Sequence, residues 1–256
     1  MPSPADASPS EIAYDGQTGD QLSRRLRLPH VLALDETTST LDVAHMAAAD
    51  GARPGTLILA DTQTAGRGRM GRSWTSERGA GIWMTLIERP TDPSALEVLS
   101  LRIGLALADA LDAFVDPAIQ LKWPNDVYVG GRKLAGILVE ARWRDSTPEW
   151  VAIGVGININ PPASEARATC VRSGTSRLAV LDAIIPGIRA GAETRGALSE
   201  SEVESFSRRD FARRRACVQP VEGMVQGIDA RGGLLVDVGG NTIEVRTGSL
   251  VLKEEQ

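Results

Sequence analysis

Apolar and polar positions along this chain follow two periods, and the switches between them mark out its elements. His30 to Leu34 reads as a strand. Thr37 to Thr40 then supplies cap candidates for a helix from about Leu41 to Ala49, ended by Gly51. Thr56 to Asp61 and Gly81 to Glu88 are apolar runs of the length expected for buried strands. Leu96, Leu99, Ile103, Ala106, Leu107, Ala110 and Leu111 recur at three- and four-residue steps. That spacing predicts one long helix from Ser94, its cap, to Phe114, stopped by Asp116-Pro117. Ile119 to Trp123, Val127 to Val129, Leu134 to Trp143 and Trp150 to Ile159 read as four strands with short links, hence hairpins. The pattern predicts an α+β fold, a mixed or antiparallel sheet with helices on one face.

Beyond a polar loop from Pro161 to Gly174, helical spacing returns at Leu178 to Ile188, where Pro186 predicts a kink or an early stop. A second amphipathic helix is expected from Glu200 to Arg215, its final arginines complementing the helix dipole. From Cys217 the texture changes to short strands (218–226, 233–238 and 242–247, closing at 249–252) separated by glycine-rich turns, which predicts a small β-barrel. At the other end, a short helix is expected around Asp20 to Leu26 behind a frayed start. The expected organisation is a flexible arm over 1–28, a main domain over 29–216 and a small β domain over 217–256.

Composition narrows the picture. The chain has 256 residues and is 42% hydrophobic, enough for a sizeable core. A net charge of -5 argues against a general nucleic-acid binder. Two distant cysteines, Cys170 and Cys217, suggest reduced thiols and no disulfide framework. No apolar run reaches the roughly 20 residues that cross a bilayer, and no secretory signal is visible, so the protein is expected to be soluble and cytoplasmic. The two histidines, His30 and His45, lack metal-ligand spacing, and neither a Gly-x-Ser-x-Gly elbow nor a Walker A loop occurs.

The chemistry concentrates in two segments. Gly66 to Arg72 packs three glycines and three arginines into seven residues, followed by Trp74. Glycines let backbone approach a ligand, and arginines offer fixed donor forks for carboxylate and phosphate. The segment lies between apolar strands and is single, unlike the repeats of RNA-binding Arg-Gly tails; it reads as an anion cradle, mobile when empty because its arginines repel one another. Lys122-Trp123-Pro124-Asn125-Asp126 is good turn chemistry. It also offers a flat indole for a base, an ammonium for a phosphate and a carboxylate for a metal or amine. Lys133 opens an apolar run in which Gly136 hints at close backbone approach. Asn158 and Asn160 share one face at period two. No nucleophile is evident, which suggests that it arrives on the substrate.

In these motifs, from Gly66 to Trp74, Lys122 to Asp126, Lys133 to Glu140 and Gly156 to Asn158, the chain resembles the biotin protein ligases over roughly residues 30–160. The resemblance implies a class II synthetase-like catalytic domain with an SH3-like C-terminal β-barrel. It implies synthesis of biotinyl-adenylate from biotin and ATP with Mg2+, then transfer of biotin to a lysine of a biotin carboxyl carrier domain. Carried over by motif, Ser39, Thr40, Gln63, Arg67, Gly68, Arg69, Lys133 and Gly136 would bind biotin. Arg69, Arg72, Trp74, Lys122, Trp123, Asn125, Asp126 and Asn158 would serve the nucleotide, with Asp126 as the metal ligand. Lys133, Arg69, Arg67 and Asp126 would carry the catalysis. Leu41 stands where the family usually has Asn. The short stretch before the first strand leads to an expectation of no specific DNA binding, and a homodimer is favoured. The rival readings are a lipoate-protein ligase, whose Arg-Arg-x-x-Gly-Gly-Gly and His-Asp signatures are absent, a non-catalytic anion- or RNA-binding module, and a transcriptional regulator.

Overall fold

The computed structural model describes residues 13–90, 92–160, 165 and 167–255. The chain runs through α1 (Gly19–Leu26), β1 (His30–Thr37), α2 (Thr40–Ala49), β2 (Thr56–Gln63), β3 (Gly81–Glu88), α3 (Pro93–Leu96) and α4 (Leu99–Leu111). It continues through β4 (Gln120–Lys122), β5 (Asp126–Val129), β6 (Arg132–Arg144), β7 (Thr147–Asn158), α5 (Arg177–Glu193) and α6 (Glu200–Arg209). It ends in β8 (Ala216–Gln219), β9 (Gly223–Ile228), β10 (Leu234–Val238), β11 (Asn241–Val245) and β12 (Val251–Leu252). Strands β1 to β7 form one sheet in the order β1-β2-β3-β7-β6-β5-β4. Only β1 and β2 run parallel within it; every other neighbour is antiparallel, so the expected mixed sheet and its hairpins are present.

Side chains alternate across this sheet, and the two faces differ. Leu57, Leu59, Leu86, Ile153, Val155 and Ile157 join the main core with Ile103 and Leu107 of α4 and Ile184 and Ile188 of α5. Among the described residues α2 is the helix on the opposite face, where its Leu41, Ala44 and Ala48 meet Ile58, Ile87 and Ala152 in a smaller cluster. Helices therefore sit on both faces, not one. The rest of that second face is left open.

Several expectations need correction. The long helix from Ser94 is broken at Val98, whose backbone (φ -108, ψ 0) leaves the helix as its side chain packs beneath the turn at Gly232. Asp92, not Ser94, caps α3, accepting the Ser94 N–H at 3.0 Å. Helix α5 continues through Pro186 to Glu193. Pro186 is on the exposed side, where water can serve the carbonyl it leaves unbonded, while Ile184, Ile185 and Ile188 stay buried against α4. Helix α6 stops at Arg209, so Arg213 to Arg215 are not its last turn; Arg214 takes φ +62 and Arg215 stacks on Phe211. From Tyr14 onward the arm expected to be flexible is docked. Tyr14, Leu22 and Leu26 are buried in the main core, and Arg177 lies 4.1 Å over the Tyr14 ring. The frayed start expected at the outset falls on residues 1–12, outside those described.

The C-terminal strands make a five-stranded antiparallel sheet in the order β11-β10-β9-β8-β12. Among the described residues its end strands, β11 and β12, are not paired with one another, so the strand ladder by itself is that of a sheet. Cys217, Val225, Leu234, Val236 and Leu252 merge with the main core, and the Trp123 indole N–H donates to the Gly232 carbonyl at 2.9 Å. This sheet is thereby anchored beside the open face of the larger one.

Asp210, just after α6, has one carboxylate oxygen bonded to the Ala212 N–H at 2.9 Å and the other sealed without a partner. Burial pushes its pKa up from 3.8 to about 6, against the opposing pull of the Ala212 N–H and Arg213. A folded-state pKa above the unfolded one means that the native state holds the extra proton between the two values. That contribution to stability is present below pH about 4 and lost as pH rises to about 6. Asp210→Asn, which mimics the neutral acid, is therefore expected to stabilise the protein above pH 6 by about 1–3 kcal/mol and to be nearly neutral at pH 4. Denaturant titrations of both proteins across that range check this; a pH-independent difference would contradict it.

Candidate active site

The open face of the large sheet becomes a cleft because of what β7 carries. Ile153, Val155 and Ile157 face the core; Gly154, Gly156 and Asn158 alternate with them and face outward. Register places Gly156 beside Gly136 of β6. A Cβ on Gly156 would stand 2.6 Å from the Trp74 ring, and one on Gly136 would stand 2.9 Å from it. The two glycines let the indole lie directly on backbone, which is the close approach that Gly136 hinted at. Trp74 also meets Trp83 edge-on, at 6.4 Å between centroids. The cleft above this floor has a volume of about 390 Å³, and every residue expected at the site borders it.

At one end, Gln63 is occupied internally. Its Oε1 accepts from the Thr40 N–H (2.9 Å) and Oγ1 (3.2 Å), and its Nε2 donates to Ser76 Oγ (2.7 Å). Ser39 makes no side-chain cap bond at the start of α2, so Gln63 supplies that acceptor from β2. Thr85 donates to Thr40 at 2.9 Å and completes the chain. Ser39 Oγ is sealed and unpartnered among the described residues, which leaves a polar group at the cleft wall for a ligand. Leu41 packs over Gly154, 3.2 Å from a would-be Cβ there, and makes that end apolar.

The arginine segment is a small hairpin: Gly68 N–H donates to Arg72 O at 2.7 Å, and Trp74 N–H to Gly66 O at 2.8 Å. The repulsion expected among its arginines is relieved within the chain for Arg67 alone. Arg67 grips Glu140 with both terminal nitrogens (3.0 and 3.1 Å) and also reaches Asp42 (2.9 Å). Glu140 is held in turn by His45 Nε2 (2.9 Å), while His45 Nδ1 accepts from the Trp150 indole N–H (3.0 Å). With its Nδ1 accepting, His45 carries its proton on Nε2 and donates to Glu140. The Arg67 side chain is thus paired at the root of the loop, where Arg67 also borders the cleft. Arg69 and Arg72 lie nearer the tip. Burial, opposed by Asp126 and helped by the Arg72 charge, lowers the pKa of Arg69 from its ordinary value.

At the other end, Lys133 Nζ pairs with Asp126 at 2.8 Å and lies 5.1 Å over the Trp74 ring. Asn125 is tied to both backbone groups of Ile137, at 2.6 and 3.0 Å, and so braces the hairpin carrying Asp126. Asn158 Nδ2 donates to Thr169 O at 3.0 Å; Asn160 has left the strand and is exposed, so the expected pair of inward amides is a single one. Trp123 is only 3% exposed and anchored to Gly232, which corrects the reading of it as a flat face for a base. Lys122 is likewise buried and paired with Glu255 at 2.5 and 2.6 Å.

Sequence reasoning missed Glu140, Asp42, Ser249, Glu255, Glu165, Arg167 and Ala168. Glu140 closes a recognised motif, a signal that could have been used. The others come to the site through contacts distant in sequence: the Lys133 N–H donates to Arg167 O at 2.9 Å, the Thr169 N–H donates to Lys133 O at 2.8 Å, and Arg167 donates to the Glu255 carbonyl at 3.0 Å. Among the described residues no group of three or more His, Cys, Asp or Glu could hold a metal. The acid set fits an ion held largely by phosphate oxygens, with Asp126 as the protein's contribution.

Comparison with known proteins agrees with this geometry. Residues 32–158 match the profile of the Biotin/lipoate A/B protein ligase family. The biotin--[acetyl-CoA-carboxylase] ligase of Mycobacterium tuberculosis is 33% identical over 234 residues, covering 84% of this chain and 86% of that protein. The bifunctional ligase/repressor BirA of Bacillus subtilis is 38% identical over 158 residues, 61% of this chain and 47% of that protein. The chain spans about half the length of the curated relatives it matches at the highest significance. The biotin protein ligase of Aquifex aeolicus, solved with biotin and ATP, superposes with a TM-score of 0.69 at 25% identity, covering 87% of this chain and 98% of that one. With its motifs gathered on one cleft and a relative matched along most of both chains, this protein belongs to the biotin protein ligase family.

Proposed function

We propose that the chain is an ATP-dependent biotin protein ligase acting on a biotin carboxyl carrier domain. The observation that carries this reading is the convergence of Lys133, Arg69 and Arg72 on one cleft floored by Trp74 over paired glycines. An apolar floor suits the fused ring and chain of biotin. The cations suit its carboxylate and the phosphates of ATP.

In the first step a carboxylate oxygen of biotin attacks the α-phosphorus of ATP, and pyrophosphate departs. Both partners are anions, so the barrier is largely one of bringing like charges together. Lys133, on the strand edge beside Asp126, stabilises charge on the carboxylate and on the α-phosphoryl oxygens. Arg69 and Arg72 reach the same anions from the loop. Positioning and fixed positive charge do the work, as expected where no protein nucleophile is needed. Mg2+ bound with ATP would neutralise phosphate charge, and Asp126 is the residue that would hold it. In the second step the carrier lysine nitrogen attacks the acyl carbon of the adenylate, an amide forms, and AMP leaves. No helix among the described residues is long and apolar enough to cross a membrane.

The test is mass spectrometry of a carrier domain after incubation with the protein, ATP and Mg2+, with biotin or with lipoate. A mass increase of one biotin on the carrier is expected, and none with lipoate. Modification by lipoate alone would overturn the substrate assignment; no modification and no biotin-dependent exchange of pyrophosphate into ATP would overturn the ligase reading.

A further inference from the structure

The arginine loop is held at two places, and the two are unequal. At its root Arg67 makes a charge-assisted fork with Glu140 and a further bond to Asp42. At its tip it meets the C-terminal sheet. Arg72 Nη2 donates to Ser249 Oγ at 2.8 Å, and the same hydroxyl donates to Met70 Sδ at 3.3 Å. Arg69 Nη1 donates to the Gly248 carbonyl at 3.1 Å. Ser249 thus accepts from one loop residue and donates to another, across a separation of 177 to 179 positions.

We propose that Ser249, with the Gly248 carbonyl, is a latch that positions the arginine loop over the cleft. The inference rests on the adenylate-forming function above. The loop borders the cleft that would hold the adenylate, and lifting it breaks the weaker contacts first. The root fork joins opposite charges through two parallel bonds, whereas each tip contact is a single bond from an arginine to a neutral acceptor. The root therefore holds and the tip lets go. The exposed Arg72–Ser249 bond and the bond to Gly248 are what separates a covered adenylate from an accessible one. Ser249 sits on the 246–250 link of the C-terminal sheet, which Trp123 pins beside the cleft through Gly232. This assigns the small sheet a share in the reaction: it holds the tip of a loop that it does not itself belong to. Ser249 touches no reacting atom in this scheme and is a positioning residue.

Ser249→Ala removes the hydroxyl from a half-buried position on a surface link without opening a cavity in the core. In the ligand-free protein, amide hydrogen exchange of a peptide covering residues 66–74 is expected to quicken, because the tip loses both hydroxyl contacts. In the loaded enzyme, adenylate release measured by chase with unlabelled biotin is expected to rise about fivefold, which corresponds to about 1 kcal/mol at 1.4 kcal/mol per tenfold. Ser249→Thr, which keeps the hydroxyl, restores both readouts. Unchanged loop exchange in Ser249→Ala, or a threonine variant that behaves like the alanine one, would overturn the latch. So would faster loop exchange with no change in release. If the loop exchange responds but the parent protein forms no adenylate, the latch stands and the ligase reading falls.

Discussion

Lys133→Ala is expected to fold normally and to lose adenylate formation by a factor of at least 10² to 10³, the range seen when a preorganised charge-stabilising donor is removed. The side chain is 31% exposed and its partner Asp126 is 23% exposed. Water can therefore rehydrate the carboxylate left behind, and a surface pair of this kind contributes little to stability. What is lost is the single ammonium that bridges the acidic turn at Asp126 and the indole floor. Lys133→Arg is not equivalent, because a planar fork cannot replace a compact point charge over the same ring. Biotin-dependent pyrophosphate exchange, read beside thermal unfolding, decides the matter. Near-parent exchange by the folded variant would remove Lys133 from the chemistry.

Gly156→Ala is expected to act almost as strongly through geometry alone. Its methyl would stand 2.6, 2.7 and 2.9 Å from three atoms of the Trp74 indole. The ring has little room to yield: its backbone N–H is bound to Gly66 O at 2.8 Å, and its edge meets Trp83. The floor must lift, and Lys133 then loses the ring beneath it. We expect the biotin KM to rise at least tenfold, with a stability loss of about 1–3 kcal/mol typical of overpacking. Gly154→Ala, one pleat away, provides the contrast. Its added carbon meets the Leu138 carbonyl and Leu41 at 3.2 Å, contacts that need only a few tenths of an ångström of adjustment, and a smaller effect is expected. If both variants bind biotin as the parent does, the indole is not the floor of the site.

Local pattern accounts for much of what the chain builds. The strands of the large sheet follow their apolar runs, since β3 spans Gly81–Glu88 as its composition suggests. The motifs that resemble the ligases all border one cleft. Errors arose where a local rule met a tertiary demand. Pro186 does not stop α5, because the buried isoleucines on the other side of the helix outweigh one missing bond facing water. The helix expected through Arg215 ends six residues early, as the chain turns to carry Phe211 onto Tyr128, 4.7 Å away between ring centroids. Trp123 has the residue type of a base platform, yet a carbonyl of the C-terminal sheet claims its N–H.

By itself the sequence determined the α+β class, the gathering of arginine, lysine and carboxylate in short segments, and a close backbone approach at Gly136, since these depend on spacing along one strand or within one turn. Only the tertiary structure decided how the charges are shared out. Arg67 is taken by Glu140, Lys122 by Glu255 and the loop tip by Ser249, while Lys133 stays at the cleft beside Asp126. The physical reason is that ion pairing and hydrogen bonding act over a few ångströms of space and carry no period along the chain.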